Sequence, residues 1–277
     1  MSTSTIERVQ RRFDDGAVPL PSRRVLQGTS ILLFFVLWSV AVRVGFLGFD
    51  KFVGPEVALA ALFEALGGAP MTESGETIYE HAAFSALRVV VAITLAMAIA
   101  IPLGLTIGTS RPWEDALFPA LEVFRPVPPV AWVPIALLLM PTFRSGVIFV
   151  VFVGAFFPIL INTIEGVKGV EEEYVQAASS LGAESRQIFR HVIIPATMPS
   201  IITGVSLGVG LAWITVVAAE MIAGGVGIGY IIFQAYRLLD TPTVAVGMIA
   251  IGVLGYVSAS LVHRIGHRLT RWQDVSG

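Results

Sequence analysis

The sequence predicts an all-α integral membrane protein with about six transmembrane helices. Composition is the first reason. Of 277 residues, 55% are hydrophobic and only 14% are Asp, Glu, Lys or Arg, where a soluble domain carries about 25% charged residues. Mean hydropathy is +0.79. Apolar surface left in water costs about 25 cal/mol per Å², so a soluble fold of this size lacks the polar coat it needs. The second reason is the spacing of charges. They leave uncharged stretches at 25–42, 89–110, 126–143, 145–164, 192–219 and 241–262. A helix needs about 20 residues, with about 17 as the lower limit, to cross a hydrocarbon layer of about 30 Å. All six stretches qualify. Membrane β-strands would alternate in polarity over about 10 residues, and nothing here alternates.

Taken in order, residues 1–24 form an N-terminal arm with Arg8, Arg11, Arg12, Arg23 and Arg24, and 25–48 hold the first transmembrane helix. Ser39-Val40-Ala41 mimics a signal-peptide cleavage site, but the polar lead is long and Arg43 follows at once, so a retained span is expected. Residues 49–83 are acidic, with Asp50, Glu56, Glu64, Glu73, Glu76 and Glu80 against Lys51. Within them Pro55–Leu66 places Val57, Ala58, Ala61, Leu62 and Ala65 on one helical face, which predicts a short amphipathic helix at the membrane surface. Residues 84–268 form the core, with transmembrane helices two to six and a long loop at 165–195, and 269–277 are the tail. The third stretch is the weakest, because Pro126, Pro128, Pro129 and Pro134 crowd its first half. Arginines in the arm, with Arg264, Arg268 and Arg271 after the sixth span, put both ends in the cytoplasm by the positive-inside rule. That demands an even number of spans, and it leaves the acidic segment outside.

Other totals exclude whole classes. A formal net charge of −2 gives no reason to expect nucleic acid. The absence of cysteine removes disulfides, thiolate zinc sites and a Cys nucleophile. The histidines (His81, His191, His263 and His267) are too scattered for a metal site, and no Ser/His/Asp set shares one face, so no catalytic residues and no cofactor in this chain are expected.

The loop at 165–195 is the most informative segment. Glu171, Glu172 and Glu173 suit the positive end of a helix dipole. Ala177, Ala178 and Leu181 share a face, and Gly182 is placed to end the helix in the left-handed conformation. Ser185 to Val192 predict a second short helix stopped before Pro195. The product is a helix-turn-helix showing a small apolar knob, which serves either docking of another protein or a surface helix without a partner.

The spacing of this loop resembles the EAA loop of ABC-importer permeases, whose pattern is Glu-Ala-Ala, three residues, Gly, nine residues, Ile-x-Leu-Pro. Here Gln176-Ala177-Ala178, Gly182 and Val192-Ile193-Ile194-Pro195 stand at matching intervals, with Gln176 in place of the glutamate. Arg125 to Pro134, Ala212 to Met221 and Gly224-Gly225-Val226-Gly227-Ile228-Gly229-Tyr230 are similar to segments of the nitrate/sulfonate/taurine/bicarbonate branch. The resemblance covers most of 80–270. It implies a type I importer permease in the bacterial inner membrane, a second permease copy (homodimer), cytoplasmic ATPase subunits that use ATP and Mg, and an extracytoplasmic solute-binding protein. Glu173, Gln176, Ala177, Ala178, Leu181, Gly182 and Pro195 would couple to the ATPase, and the cargo would be a small oxyanion.

Polar groups in or beside spans are costly and usually functional. Arg125 opens the third stretch, either as a snorkelling anchor or as a cationic contact for an anion. Trp132 either constricts a path or packs on a neighbour, and Ser206, Trp213 and Thr215 belong to the long fifth stretch. Gly204 and Gly208 mark a close-packing face there. Arg88 is expected to be an anchor and Glu122 to pair locally; Glu220 reads as a structural or gating hydrogen-bond partner, and with Arg125, Trp132, Ser206, Trp213 and Thr215 it completes the six candidates for a substrate path. Gly224–Gly229 lacks the Lys-Ser/Thr of a phosphate loop and predicts a flexible outer turn. The rival from another class is an ion- or proton-driven secondary transporter, which would need acidic residues at mid-depth and paired half-repeats.

Overall fold

A computed structural model describes residues 23–45, 48, 51–72 and 74–270. Arg8, Arg11 and Arg12 of the arm, Asp50, Glu73 and the tail's Arg271 lie outside the described residues. In chain order the helices are α1 (Arg23–Val44), α2 (Pro55–Leu66), α3 (Ile78–Thr109), α4 (Arg111–Phe124), α5 (Val133–Leu139), α6 (Phe143–Lys168), α7 (Glu172–Ser180), α8 (Ser185–Ile188), α9 (Ile194–Ala223), α10 (Ile228–Arg237) and α11 (Thr241–Leu269). A 3₁₀ turn at Pro129–Trp132 precedes α5, and a π turn at Phe189–Ile193 joins α8 to α9. Among the described residues, five helical runs are long and apolar enough to cross a membrane, and α4 with the Pro129–Leu139 run makes up to six.

The chain divides into two compact units, 1–59 and 60–277. In the first, α1 leaves Ile31, Leu32 and Phe34 exposed on a helix with no polar face, as a lipid-facing span requires. Trp38 Nε1 donates to Val53 O at 3.2 Å and ties α1 to the segment that follows.

The core of the second unit is a bundle of α3, α6 and α9. Gly104 and Gly108 of α3 meet Thr163 and Val167 of α6, so those two helices run in the same direction. α9 runs the opposite way, with Gly154 of α6 against Thr215 and Gly166 against Ser200. The predicted small-residue face is where expected: a Cβ on Gly204 would lie 2.8 Å from Asn162 Cβ, and one on Gly208 would lie 3.2 Å from Ala155 O. In lipid, where no hydrophobic force drives helices together, such close backbone approach supplies the packing energy.

The third stretch departs from a straight span. Because α3 and α6 are parallel, residues 110–142 must travel from the end of α3 back to the start of α6. They do so in two pieces bent by 86°. Pro126, Pro128 and Pro129 remove backbone donors and forbid a continuous helix, so α4 carries the first half of the crossing and the Pro129–Leu139 run the second.

Two smaller expectations also change. α2 has the predicted bounds, but Ala61, Leu62 and Ala65 pack with Ile78, Ile231 of α10 and Val246 of α11, so part of its apolar face is spent on protein. The second loop helix does not stop before Pro195. It continues through the π turn into α9, giving one helical run over Ser185–Ala223. A π turn is wide, which leaves room for the Pro195 ring against the carbonyl four residues back.

Candidate functional site: an exposed helix-turn-helix, a cavity in the bundle and a buried ion pair

α7 begins with Glu172 and Glu173 in its first turn, where the dipole favours them. It ends in a full Schellman motif. Gly182, at φ +82°, donates its N–H to Ser179 O at 2.9 Å, and Ala183 donates to Ala178 O at 3.1 Å. Glu184 N–H donates to Gln187 Oε1 at 2.8 Å and starts α8. The elbow is bare. Glu173, Gln176, Ala177 and Gly182 are exposed, and Leu181 is 88% exposed. Ala178, Leu181 and Gly182 border a shallow concavity of about 430 Å³ whose far wall is Gln187, Ile188 and His191. Pro195 stands apart, inside α9 rather than on the elbow.

Of the six residues proposed for a substrate path, Arg125 borders a cavity in the bundle. This cavity, of about 490 Å³, is lined on α6 by Val153, Gly154, Phe157, Pro158, Ile161 and Asn162, and on α9 by Leu207 and Leu211. Arg125 stands at the break in the third crossing, beside the middles of α6 and α9. Its side chain is 53% exposed and lies 3.8 Å from Glu122, the local pairing expected for that glutamate.

Of the other five, Trp213, Thr215 and Trp132 make contacts inside the bundle. Trp213 is 5% exposed and donates Nε1–H to Ser258 Oγ of α11 at 2.8 Å. Thr215 is buried against Gly154 and donates to Leu211 O at 2.6 Å. Trp132 packs on Phe124 with ring centroids 6.1 Å apart. The Trp132 Nε1 and Ser206 Oγ atoms are buried without hydrogen-bond partners.

Glu220, fully buried, anchors a network at the opposite end of α9 from the elbow. Arg88 Nη1 lies 2.5 Å from Glu220 Oε1 and also donates to Val226 O at 2.6 Å. Gly229 N–H donates to Glu220 Oε2 at 3.0 Å. Ser85 Oγ is 2.9 Å from Glu220 and accepts from Ile228 N–H at 2.9 Å. Gly227 N–H donates to Nδ1 of His81, another buried side chain, at 3.0 Å. A Cβ on Gly229 would lie 2.3 Å from Val217 O, so glycine is what lets the loop reach the carboxylate. The expected flexible turn is thus a strapped one, and Arg88 is half of a buried ion pair instead of an interfacial anchor. Sequence reasoning missed that pairing and the place of Asn162 on the cavity wall. A lone amide inside an otherwise uncharged stretch was the available signal for the second.

The family model for the binding-protein-dependent transport system inner membrane component matches residues 100–271. The chain belongs to that family. It is 31% identical over 273 residues to the taurine transport system permease protein of Escherichia coli K12, covering 98% of both chains. It is 40% identical over 171 residues to a nitrate import permease protein of a Synechocystis species, covering 62% of each chain. Its fold is similar to that of a chain of the MetNI methionine ABC transporter in an inward-facing conformation, with a TM-score of 0.54 at 18% identity over 70% of this chain and 94% of that one. The protein is a multi-pass inner-membrane permease, the translocation subunit of an ATP-driven importer. That rules for the importer and against the secondary transporter.

Proposed function

We propose that this permease imports a small oxyanion as one of two identical subunits, and that the α7–α8 elbow is the seat of a cytoplasmic ATPase. The exposed elbow carries the reading. A membrane subunit has no folding reason to hold Leu181 at 88% exposure beside exposed Ala177 and Gly182; small residues next to one bare leucine suit insertion into a groove. The elbow end is cytoplasmic in this reading, with both termini on that side, and the Gly224–Gly229 end faces an extracytoplasmic solute-binding protein. ATP and Mg are handled by the partner, and this chain performs no covalent chemistry. The taurine and nitrate relatives support an oxyanion cargo.

The helix geometry supplies the lever. From Ser185 to Ala223 the chain is one helical run of 39 residues, about 58 Å at about 1.5 Å per residue. A displacement of α7 and α8 when the ATPases close is carried along that rod to Glu220, which grips the outer loop. A second strut links α4 to the elbow end: Lys168 of α6 pairs with Glu114 and lies 5.5 Å over the Phe118 ring.

The test is co-purification of the ATPase with Gly182→Trp and, as a control that tolerates the left-handed backbone, Gly182→Asn. Trp should abolish co-purification and Asn should retain it. Undiminished co-purification by Gly182→Trp overturns docking at this elbow.

A further inference from the structure

Resting on the oxyanion reading above, we infer that the cavity at the break of the third crossing is a discrete anion-binding site at mid-depth, with Arg125 as its cation, rather than a stretch of featureless conduit.

Depth comes first. The cavity touches α6 from Val153, ten residues after its start, to Asn162, six residues before its end. On α9 it touches Leu207 and Leu211, 13 residues after the start and 12 before the end. At about 1.5 Å per residue, Arg125 faces a wall some 10–20 Å from either end of these spans. An arginine at that depth is costly unless it faces water or a counter-charge. Glu122, at 3.8 Å and itself 53% exposed, is not a tight neutralising partner.

The backbone points the same way. Irregular chain at membrane depth is tolerated only where it is buried in protein or lines a watered cavity. The Arg125–Pro128 corner is such chain, and it opens on this space. Across the cavity, Pro158 has no N–H, which deprives the Gly154 carbonyl four residues back of its usual helical donor. Asn162 donates one amide hydrogen to Pro158 O at 2.8 Å and keeps the rest of its polar group. A carbonyl and an amide therefore give water a foothold beside the guanidinium, in walls that are otherwise apolar, Phe157, Leu207 and Leu211 among them.

The chemistry selects the ligand class. One guanidinium with no second fixed cation on the lining balances a single negative charge, and its planar fork presents paired N–H donors that fit the two oxygens of a nitrate, bicarbonate or sulfonate group. Apolar walls leave the second charge of a dianion, and large polar solutes, without partners.

The experiment reconstitutes the complete complex (permease, ATPase and solute-binding protein) in proteoliposomes and measures ATP-dependent uptake of nitrate, bicarbonate and taurine. Wild-type uptake of none of the three overturns the oxyanion reading and this site with it. Given wild-type uptake, Arg125→Gln should lower it by at least about tenfold, as loss of hydrogen bonds to a charged group does, while binding-protein-stimulated ATP hydrolysis stays within about twofold and Arg125→Lys gives an intermediate rate. Leu211→Asp, which leaves Arg125 in place but supplies it with a fixed counter-charge, should lower uptake at least about tenfold below that of its neutral isostere Leu211→Asn. If Arg125→Gln fails to assemble, the Leu211 pair decides alone. Uptake by Arg125→Gln equal to wild type, or by Leu211→Asp equal to Leu211→Asn, contradicts a site here while leaving the oxyanion reading intact.

Discussion

At Glu220 the chain buries a full charge, and the cost is offset by one guanidinium and two further donors, Ser85 Oγ–H and Gly229 N–H. A pair of this kind is hardest to break from one side, because the remaining charge is left without a partner; the loss is about 3–5 kcal/mol. Glu220→Gln and Arg88→Met should each lower stability by that order, and the double variant should cost well short of their sum. Thermal unfolding of the detergent-purified permease measures all three, and strict additivity would show that the two side chains do not act as a unit. Residue-level legibility was uneven for a physical reason. Gly182 was readable because a left-handed cap is a local event, decided by the residues beside it. The hydrogen-bonding role of Glu220 was readable because a carboxylate lining an anion path would repel the cargo. Its partner was not, since Arg88 lies 132 residues away and only the packing of α3 on α9 brings them together.

Elements show the same division between local and distant causes. Six apolar stretches announced the spans, and prolines marked the third as weak. What counting charges could not show is that α4 belongs to the crossing. Arg111, Glu114, Asp115 and Glu122 end an uncharged run in the sequence, yet they sit on a helix whose other side packs Leu117, Phe118 and Leu121 against the core. A count of charges ignores which face they occupy. The length of α3 was underestimated likewise, because its first turns hold His81, Ser85 and Arg88 in buried contacts. The α6–α9 seam offers a contrast to test. A side chain at Gly204 meets Asn162 and the Pro158 carbonyl at 2.8 and 3.0 Å, whereas one at Gly210 meets nothing within 4 Å. Gly204→Leu should destabilise by about 1–3 kcal/mol through overpacking. Gly210→Ala should be neutral or stabilise by up to about 1 kcal/mol, since alanine favours a helix interior over glycine. Equal melting temperatures for the two variants would refute the seam.

For the whole molecule, one helical rod joins an elbow exposed at one extreme to a strapped glycine loop at the other, with a cavity bordered by Arg125 midway. Coupling along it depends on which compartment the elbow faces and what covers it. The chain has no cysteine, so Ala178→Cys carries a unique thiol at the rim of the elbow. A membrane-impermeant maleimide applied to oriented vesicles reads both points at once. Labelling should occur only in inside-out vesicles and should fall when the ATPase subunits are bound. Labelling from the outer face of right-side-out vesicles, or labelling unchanged by the ATPase, would contradict the account.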